Sequence, residues 1–441
     1  MNILISCPPI SDEFGYYCYI DCIIRTSLKE YDVSFHPSIF YRFTHKNISQ
    51  FDDTLRQTDI LMLSCYVWNW ELQLALADRA REINPDIIVV GGGPQVHEPY
   101  YDRFDHVVMG EAEHGVRQIL DGTADHIVHS IRKTDFEVSP YIDNRDMLLA
   151  QREQAKARKM ALGVIFEANR GCPFACAFCA DGQASKNKIH RYDPERTKEE
   201  LNYIAKKVKN MSELMNADLN FGMYKQDVVT ANFIREIQDK FNYPKTVIVA
   251  TGKNMPQRII DVASIIKGWQ LGASIQSTDA DVLKASNRQN ITSSAYKKLI
   301  DFGNNSNATK TYTDLMVALP GDTKEKHFSS LKWSIENNVR SIRMHQSIML
   351  IGTDMASKVT REKYGLITKF RTVPGAVGNY EIFGKKHPIA EIEEIIVGSN
   401  TLKQKDYIDC RIMDLFIQTF YNNYLFEEVF ALLKSINVST F

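Results

Sequence analysis

Short apolar runs alternate with stretches of helical periodicity along most of the chain, and that alternation leaves few folds open. Up to about residue 135, "MNILISCPP", "YDVSFHPS", "DILMLSCYV", "DIIVVGGGP" and "DHVVMGE" predict buried strands, and "NWELQLALADRAREIN" between them predicts an amphipathic helix. Strands that alternate with helices form parallel sheets with helices on both faces, so residues 1–135 are expected to be a Rossmann-like, doubly wound α/β domain. Such sheets bind ligands at the carboxyl ends of their strands. Here those ends are the loops that start at Pro8, Tyr66, Gly91 and Gly110.

After a charged stretch at 136–160, read as a linker with a solvated helix, the alternation resumes at "ALGVIFEANRGC". "DLNFGMY", "KTVIVATGK", "QLGASIQS", "YTDLMVALPG" and "SIRMHQSIMLIG" are the next strand candidates, which fits a partial barrel of six strand–helix units over residues 161–370. The remainder, 371–441, is read as a small carboxyl-terminal helical region, with helical spacing from about residue 390 onward. A chain of 441 residues exceeds the roughly 250–300 at which one core stops growing, in keeping with several domains.

The charge balance, 53 basic against 54 acidic residues, argues against nucleic acid as the principal partner. The start "MNILISCPPISDEFG" does not have the form of a signal peptide, and no apolar run approaches the roughly 18 residues of a spanning helix. A cytoplasmic protein with reduced thiols is therefore expected, in which a tight cysteine cluster means metal or catalysis more often than disulfides.

Such a cluster occurs in "EANRGCPFACAFCADG", residues 167–182, where three of the eight cysteines, Cys172, Cys176 and Cys179, fall within eight positions. Structural zinc sites use two ligand pairs, and no second C-x-x-C pair follows. Three thiolates on one loop can hold three corners of a four-iron four-sulfur cluster and leave the fourth iron open to a small molecule. A zinc loop and three incidental thiols are the alternatives. In the first domain "GGGPQVHEP", with Gly91, Gly92, Gly93 and Pro94, permits close approach of a bulky or phosphorylated ligand, or makes a plain tight turn.

The cysteine loop resembles the signature of the radical S-adenosylmethionine superfamily, C-x-x-x-C-x-aromatic-C, matched by Cys172, Cys176, Phe178 and Cys179. "LGASIQSTDADVLKASNRQN" is similar to that family's fourth-strand region. The likeness implies that Ser274, Gln276, Asn287 and Arg288 lie near S-adenosylmethionine, with Arg288 facing the methionine carboxylate. "DLMVALPGDTKEKHF" resembles the fifth strand and its turn, with Pro320 and Gly321 near the adenine. The family's "GGE" after the second strand is represented only by "NFGMY", which makes Gly222 the matching position.

The amino-terminal part resembles the cobalamin-binding domain that precedes many radical S-adenosylmethionine proteins. "MLSCYVWNWE", "VVGGGPQVHEP" and "VVMGEAEHGVRQIL" match its three loops. The likeness implies cobalamin contacts near Trp68, Asn69, Gly91 to Pro94, Gly110 and Glu111. The D-x-H-x-x-G motif is absent, which implies cobalamin with its base displaced and no histidine on cobalt.

Together the resemblance implies a cobalamin-dependent radical enzyme. A reduced cluster would cleave S-adenosylmethionine, the 5′-deoxyadenosyl radical would take hydrogen from an unactivated substrate carbon, and methylcobalamin between the two domains would methylate it. The carboxyl faces of sheet and barrel are then expected to oppose each other. A non-methylating cyclisation, ring contraction or oxidation is the alternative, followed by a cobalamin or cluster sensor. A methylthiotransferase fits less well, because Cys7, Cys18, Cys22 and Cys65 do not match the extra cysteines of that family. Residues 377–400 loosely resemble proteins encoded with surface-polysaccharide genes, which suggests a sugar nucleotide or lipid-linked sugar as the small-molecule substrate. An external electron donor such as flavodoxin or ferredoxin is implied.

Overall fold

In the computed structural model the described residues are 1–43, 48–131, 139–252, 254–305, 311–382 and 385–441. They divide into two compact units. The first comprises Met1–Phe166, Glu195–Leu214 and Arg371–Glu393, and the second Glu167–Pro194, Met215–Phe370 and Glu394–Phe441.

The first unit is built on a six-stranded parallel sheet. Across the sheet the strands run Ser34–Phe35, Asn2–Ser6, Ile60–Ser64, Ile88–Gly92, His106–Met109 and Ile127–His129. The last was not foreseen from sequence. The strands are apolar runs because helices cover them: Ile3, Ile5, Ile60, Met62, Val90 and Val108 join one core with Ile24, Val116 and Ile119. The strand order reverses between Asn2–Ser6 and Ile60–Ser64, the switch point at which doubly wound sheets open a crevice for ligands.

Residues 136–138 of the expected linker lie outside the described residues. Its remainder is not a solvated connection. Helices Pro140–Asp143 and Arg145–Ala157 bury Tyr141, Leu148, Gln151 and Ala155, whose helical spacing gives the charged stretch one packed face.

In the second unit, strand Thr246–Thr251 pairs with Glu213–Phe221, and Tyr312–Val317 runs parallel to Ser341–Gln346. Lys253 of "KTVIVATGK" lies outside the described residues. The expected strand "QLGASIQS" forms isolated parallel bridges, Gly272 to Tyr312 and Gln276 to Leu315, instead of a continuous ladder. Gln276 has a φ of 58°, which turns the backbone out of extended geometry at the strand's end. Helices Lys225–Phe241, Pro256–Ile265, Ser293–Asn305 and Lys324–Glu336 alternate with these strands, as the barrel reading requires.

The carboxyl-terminal region needs one correction. Helices Gln404–Phe416 and Glu427–Ser435 are present, but Ile367–Ile382 and Lys385–Gly398 are paired strands, so the helical reading from residue 390 begins too early. Residues 389, 391, 393 and 395 are all buried, an alternation of period two that tertiary packing imposes on a glutamate-rich segment. Residues 383 and 384 lie outside the described residues. Cys7 and Cys18, expected as reduced thiols, are joined by a disulfide. No described helix is long and apolar enough to cross a membrane.

Candidate functional site

The cysteine loop is set by a buried carboxylate before it begins. Asp218 accepts hydrogen bonds from the backbone N–H groups of Ala168 and Asn169, at 2.8 and 2.9 Å, and from the Asn169 amide at 2.8 Å. Burial pushes the Asp218 carboxyl well up, and the donated N–H groups oppose that shift. Within the loop, Cys179 N–H bonds Cys176 O and Gly182 N–H bonds Cys179 O, both at 3.0 Å. From outside, Asn287 donates to Ala175 O at 2.8 Å, and Ala177 N–H bonds Ser286 O at 2.9 Å. The fourth-strand region and the cysteine loop, joined in the sequence reading only by resemblance, are thus in direct contact.

Cys172 and Cys176 are buried and Cys179 is partly so. Asn220 donates from Nδ2 to Cys172 Sγ at 3.3 Å, and the Nη1 of buried Arg288 lies 3.9 Å from Cys176 Sγ. Both groups place positive charge density where thiolates would sit. Burial lowers the Arg288 pKa and its neighbours Cys176, Asp314 and Cys179 raise it; a guanidinium stays charged under both influences. The remaining Arg288 contacts are to Asn290 Oδ1 at 3.0 Å and to the carbonyl of Ser274. Phe178 packs against the core of Val317, Leu319 and Met349, and so anchors the loop between Cys176 and Cys179.

Near Arg288, the Ser274 hydroxyl bonds Asp314, which His345 also contacts at 3.0 Å. Burial raises the Asp314 pKa, but the bonds from His345 and Ser274 prevail and hold it below the usual carboxylate value. Gln276 is nine-tenths buried, and its Oε1 has no hydrogen-bond partner. The turn at Pro320 and Gly321 is held by Asp322, which accepts from Ala318 N–H at 3.1 Å and from Thr323 N–H at 2.9 Å. At Gly321, with φ of 78°, an added Cβ would meet nothing within 4 Å. Gly222 differs: its Cβ would press on Ile259 and Trp269 at 3.2–3.3 Å, so packing and a φ of 89° account for glycine there. The carboxylate nearest this position is Asp227, which accepts from Gly222 and Tyr224 N–H at 2.8 and 2.9 Å and is pushed up to about 6 by burial.

In the first unit the predicted loops lie at the carboxyl ends of the parallel strands, and the Pro8 and Asn69 loops meet at the switch point. Asn69 is buried; its Nδ2 donates to Pro8 O and Ser64 O, at 3.0 and 3.1 Å, and its Oδ1 accepts from Tyr66 N–H at 2.8 Å. Those bonds use both amide hydrogens, so Asn69 fastens the loop and has no donor left for a ligand. Trp68 is partly exposed and stacks on Tyr66, ring centroids 4.4 Å apart and 11° from parallel. At Gly93, with φ of 101°, a Cβ would lie 2.5 Å from Cys65 O. A Cβ on neighbouring Gly92 would meet nothing nearer than 3.8 Å. Pro94 and Gly110 are exposed and Glu111 is partly exposed, at the ends of the next two strands.

A buried ion pair braces this loop, and sequence reasoning missed it. Arg42 donates to Trp68 O at 2.6 Å and to Ala376 O at 3.2 Å, and stands 3.6 Å from Glu391. Glu391 in turn accepts from the N–H groups of Glu71 and Leu72, at 2.8 and 3.1 Å, in the first turn of helix Trp70–Ile83. A carboxylate suits unsatisfied donors at a helix start. Burial nevertheless raises the Glu391 pKa to about 7, against the opposing pull of those amides and Arg42.

Comparison with known proteins completes the assignment. A model of the B12 binding domain matches residues 23–120, and one of the radical SAM superfamily matches residues 166–333. The chain belongs to the cobalamin-binding radical S-adenosylmethionine family. Over 398 residues, 82% of the chain and 56% of the relative, it is 30% identical to the cobalamin-dependent radical SAM methyltransferase TokK of Streptomyces tokunonensis. It is 29% identical over 385 residues to the 2-(S-pantetheinyl)-carbapenam-3-carboxylate methyltransferase of Streptantibioticus cattleyicolor, covering 80% of the chain and 55% of that protein. The chain thus spans about half the length of the curated relatives it matches. The fold is similar to that of the radical S-adenosylmethionine methyltransferase TsrM from Kitasatospora setae, with a TM-score of 0.62, 12% identity, and 85% and 78% of the two chains covered.

The family's cofactors are a [4Fe-4S] cluster, S-adenosylmethionine and cobalamin, and the residues present fit them. Three thiols with two donors at their sulfurs suit the cluster. The orphaned oxygen of Gln276 and the open side of Gly321 suit a polar ligand beside it. The uncrowded Cβ direction of Gly92 and the partly exposed Trp68 suit a broad ring system at the carboxyl ends of these strands.

Proposed function

We propose that the chain methylates an unactivated carbon of a small molecule in a reaction that depends on cobalamin and S-adenosylmethionine. The observation that carries this reading is the cysteine loop, with Asn220 on Cys172 and Arg288 on Cys176, in a chain related to proteins named as methyltransferases. When bound, the cluster supplies an electron to S-adenosylmethionine and cobalamin supplies the methyl group, so the radical chemistry belongs to the cofactors.

The protein's residues bind, orient and shield. Cys172, Cys176 and Cys179 would hold the cluster. Asn220 and Arg288 would stabilise its negative charge. Gln276 would accept a hydrogen bond from S-adenosylmethionine, with Ser274, Pro320 and Gly321 framing it and Gly222 packed on Ile259 and Trp269 behind. Trp68 with Gly92, Gly93, Pro94, Gly110 and Glu111 would line the cobalamin crevice, Asn69 would hold that loop in shape, and buried Gly91 makes room for the Phe104 ring beneath it.

Sugar nucleotides and lipid-linked sugars are the first substrate candidates, and the second relative's name adds a pantetheinyl carbapenam acid. Flavodoxin or ferredoxin would supply the electron. The test is anaerobic incubation of the reconstituted protein with cobalamin, S-adenosylmethionine, a reductant and each candidate. Methylated product together with 5′-deoxyadenosine and S-adenosylhomocysteine is expected. 5′-Deoxyadenosine with an unmethylated, rearranged or oxidised product would replace this reading by a non-methylating one.

A further inference from the structure

The large apolar side chains that folding leaves in water are concentrated in one segment. Of the 24 such residues exposed among the described residues, 13 lie between Ile408 and Phe441, in the second unit. Exposed apolar residues scattered singly need no explanation, but a contiguous group of this size marks a surface that is covered.

Helix Gln404–Phe416 is apolar on two sides. Tyr407 and Cys410 face the core of Val317 and Leu319. Ile408, Ile412 and Leu415 recur at the same helical spacing on another side, and are 50%, 49% and 64% exposed. A surface helix ordinarily turns polar residues outward, and one that is apolar all round is ordinarily buried. Helix Glu427–Ser435 has no inner face at all, because none of its nine residues is buried. Helices shorter than about 12–15 residues are marginal without tertiary packing, and the described residues do not supply it here.

The segment is nevertheless held in place. Ile342 N–H donates to Asn422 Oδ1 at 2.9 Å and Asn422 Nδ2 donates to Ile342 O at 2.7 Å, while the Tyr421 and Tyr424 hydroxyls donate to Val339 O and Arg340 O at 2.8 and 2.9 Å. The rings of Phe416, Phe420 and Phe426 form a continuous row, with centroids 5.6 and 5.3 Å apart. With exposures of 38% to 67%, the 13 side chains present about 1,000 Å² of apolar surface, at roughly 150–250 Å² for a whole aromatic side chain and less for an aliphatic one. That exceeds the ~300–600 Å² of the largest patch on a typical monomer and meets the ~800 Å² that each partner gives to a stable interface.

Charge selects the occupant. Residues 404–441 carry three basic and five acidic side chains, the reverse of what an anionic bilayer attracts. Several of these charges are neutralised within the chain, Asp406 and Asp409 by Lys324 and Asp414 by Arg411, so two identical faces can meet without strong repulsion. Each copy has the same unpacked helix, and two-fold pairing supplies the missing packing to both at once. We propose that this face binds a second copy of the chain, in a two-fold dimer whose centre is the row of Phe416, Phe420 and Phe426.

The experiment is sedimentation velocity of the full-length protein, loaded with cluster and cobalamin, at about 1 and 100 μM, which brackets the weakest affinity of a standard-size interface. A species with the mass of two chains is expected. Leu415→Glu/Leu432→Glu should weaken the dimer by about tenfold or more, because each charge would be buried unpaired, with iron and cobalamin content unchanged. Phe420→Ser/Phe426→Ser, which adds no charge, should act in the same direction and guards against misfolding of the first variant. Val229→Glu, at an exposed apolar residue elsewhere in the second unit, should leave the dimer intact. A monomer at the higher concentration would overturn the proposal, and so would a dimer that survives both double variants. A monomer that binds neutral phosphatidylcholine vesicles, and loses that binding in the double variants, would also overturn it and assign the face to a lipid surface.

Discussion

At the scale of single residues, the cluster site depends on two side chains remote from the cysteines in sequence. Hydrogen bonds and positive charge near cluster sulfurs favour the reduced, more negative state, so their removal should lower the potential. Asn220→Leu should keep about four irons per chain, as the three thiolates require, and shift the reduction potential to more negative values in an EPR-monitored titration. An unchanged potential would mean that the 3.3 Å contact to Cys172 has no influence on the cluster. Replacement of Cys172, Cys176 and Cys179 together by Ala should abolish iron binding; iron retained in that variant, or zinc in the native protein, would refute the cluster assignment. The cysteines were legible because their spacing is local. Asn220 was not, because its role depends on where a strand ends in space. Its one local trace is a φ of 61°, which asparagine tolerates better than most residues, two positions before Gly222.

At the scale of elements, adjacent glycines in one loop serve different ends. A Cβ at Gly93 collides with Cys65 O and requires left-handed backbone, so Gly93→Ala should destabilise the fold. A Cβ at Gly92 meets only Val108, at the ordinary contact distance of 3.8 Å, so Gly92→Val should fold and instead weaken hydroxocobalamin binding, as measured by spectrophotometric titration. Equal cobalamin affinity in that variant would displace the ligand from this loop. Strand Lys385–Gly398 shows where sequence reasoning failed: "EIEEII" favours a helix by composition, whereas the ladder and the buried positions Glu391 and Glu393 decide for a strand.

The same strand carries a pH dependence. The pKa of Glu391 in the folded state, about 7, lies above its ordinary value, so the folded chain binds the proton more tightly than the unfolded one. Stability contributed by this group is therefore greatest below the ordinary glutamate pKa and declines as pH rises towards 7, by roughly 3 kcal/mol in total. In denaturant titrations from pH 4.5 to 7.5, the stability of the wild type relative to Glu391→Gln should fall along that interval and then level off. A difference independent of pH would show that Glu391 remains ionised throughout.

At the scale of the whole molecule, the first unit is not a contiguous block. The alternation of strands and helices revealed its sheet, but it could not reveal that Glu195–Leu214 and Arg371–Glu393 complete the same unit, because such contacts join segments far apart in the chain. Three of them tie buried groups: Glu391 to Arg42 and to the start of helix Trp70–Ile83, Ser139 Oγ to Glu200, and Tyr17 to Val208 O. A fragment cut at residue 140 keeps the sheet and its glycine loop but loses every one of these partners. Arg42 alone would then be a buried charge without its counter-ion, a cost of about 3–5 kcal/mol against a typical domain stability of about 5–15 kcal/mol. Residues 1–140 expressed alone should therefore fail to give a cooperative thermal transition and should take up hydroxocobalamin far more weakly than the full chain. If the fragment instead unfolds cooperatively and binds cobalamin with the full chain's affinity, the distant segments only cover the sheet, and the brace from Glu391 to the Trp68 loop has no part in forming the cobalamin site.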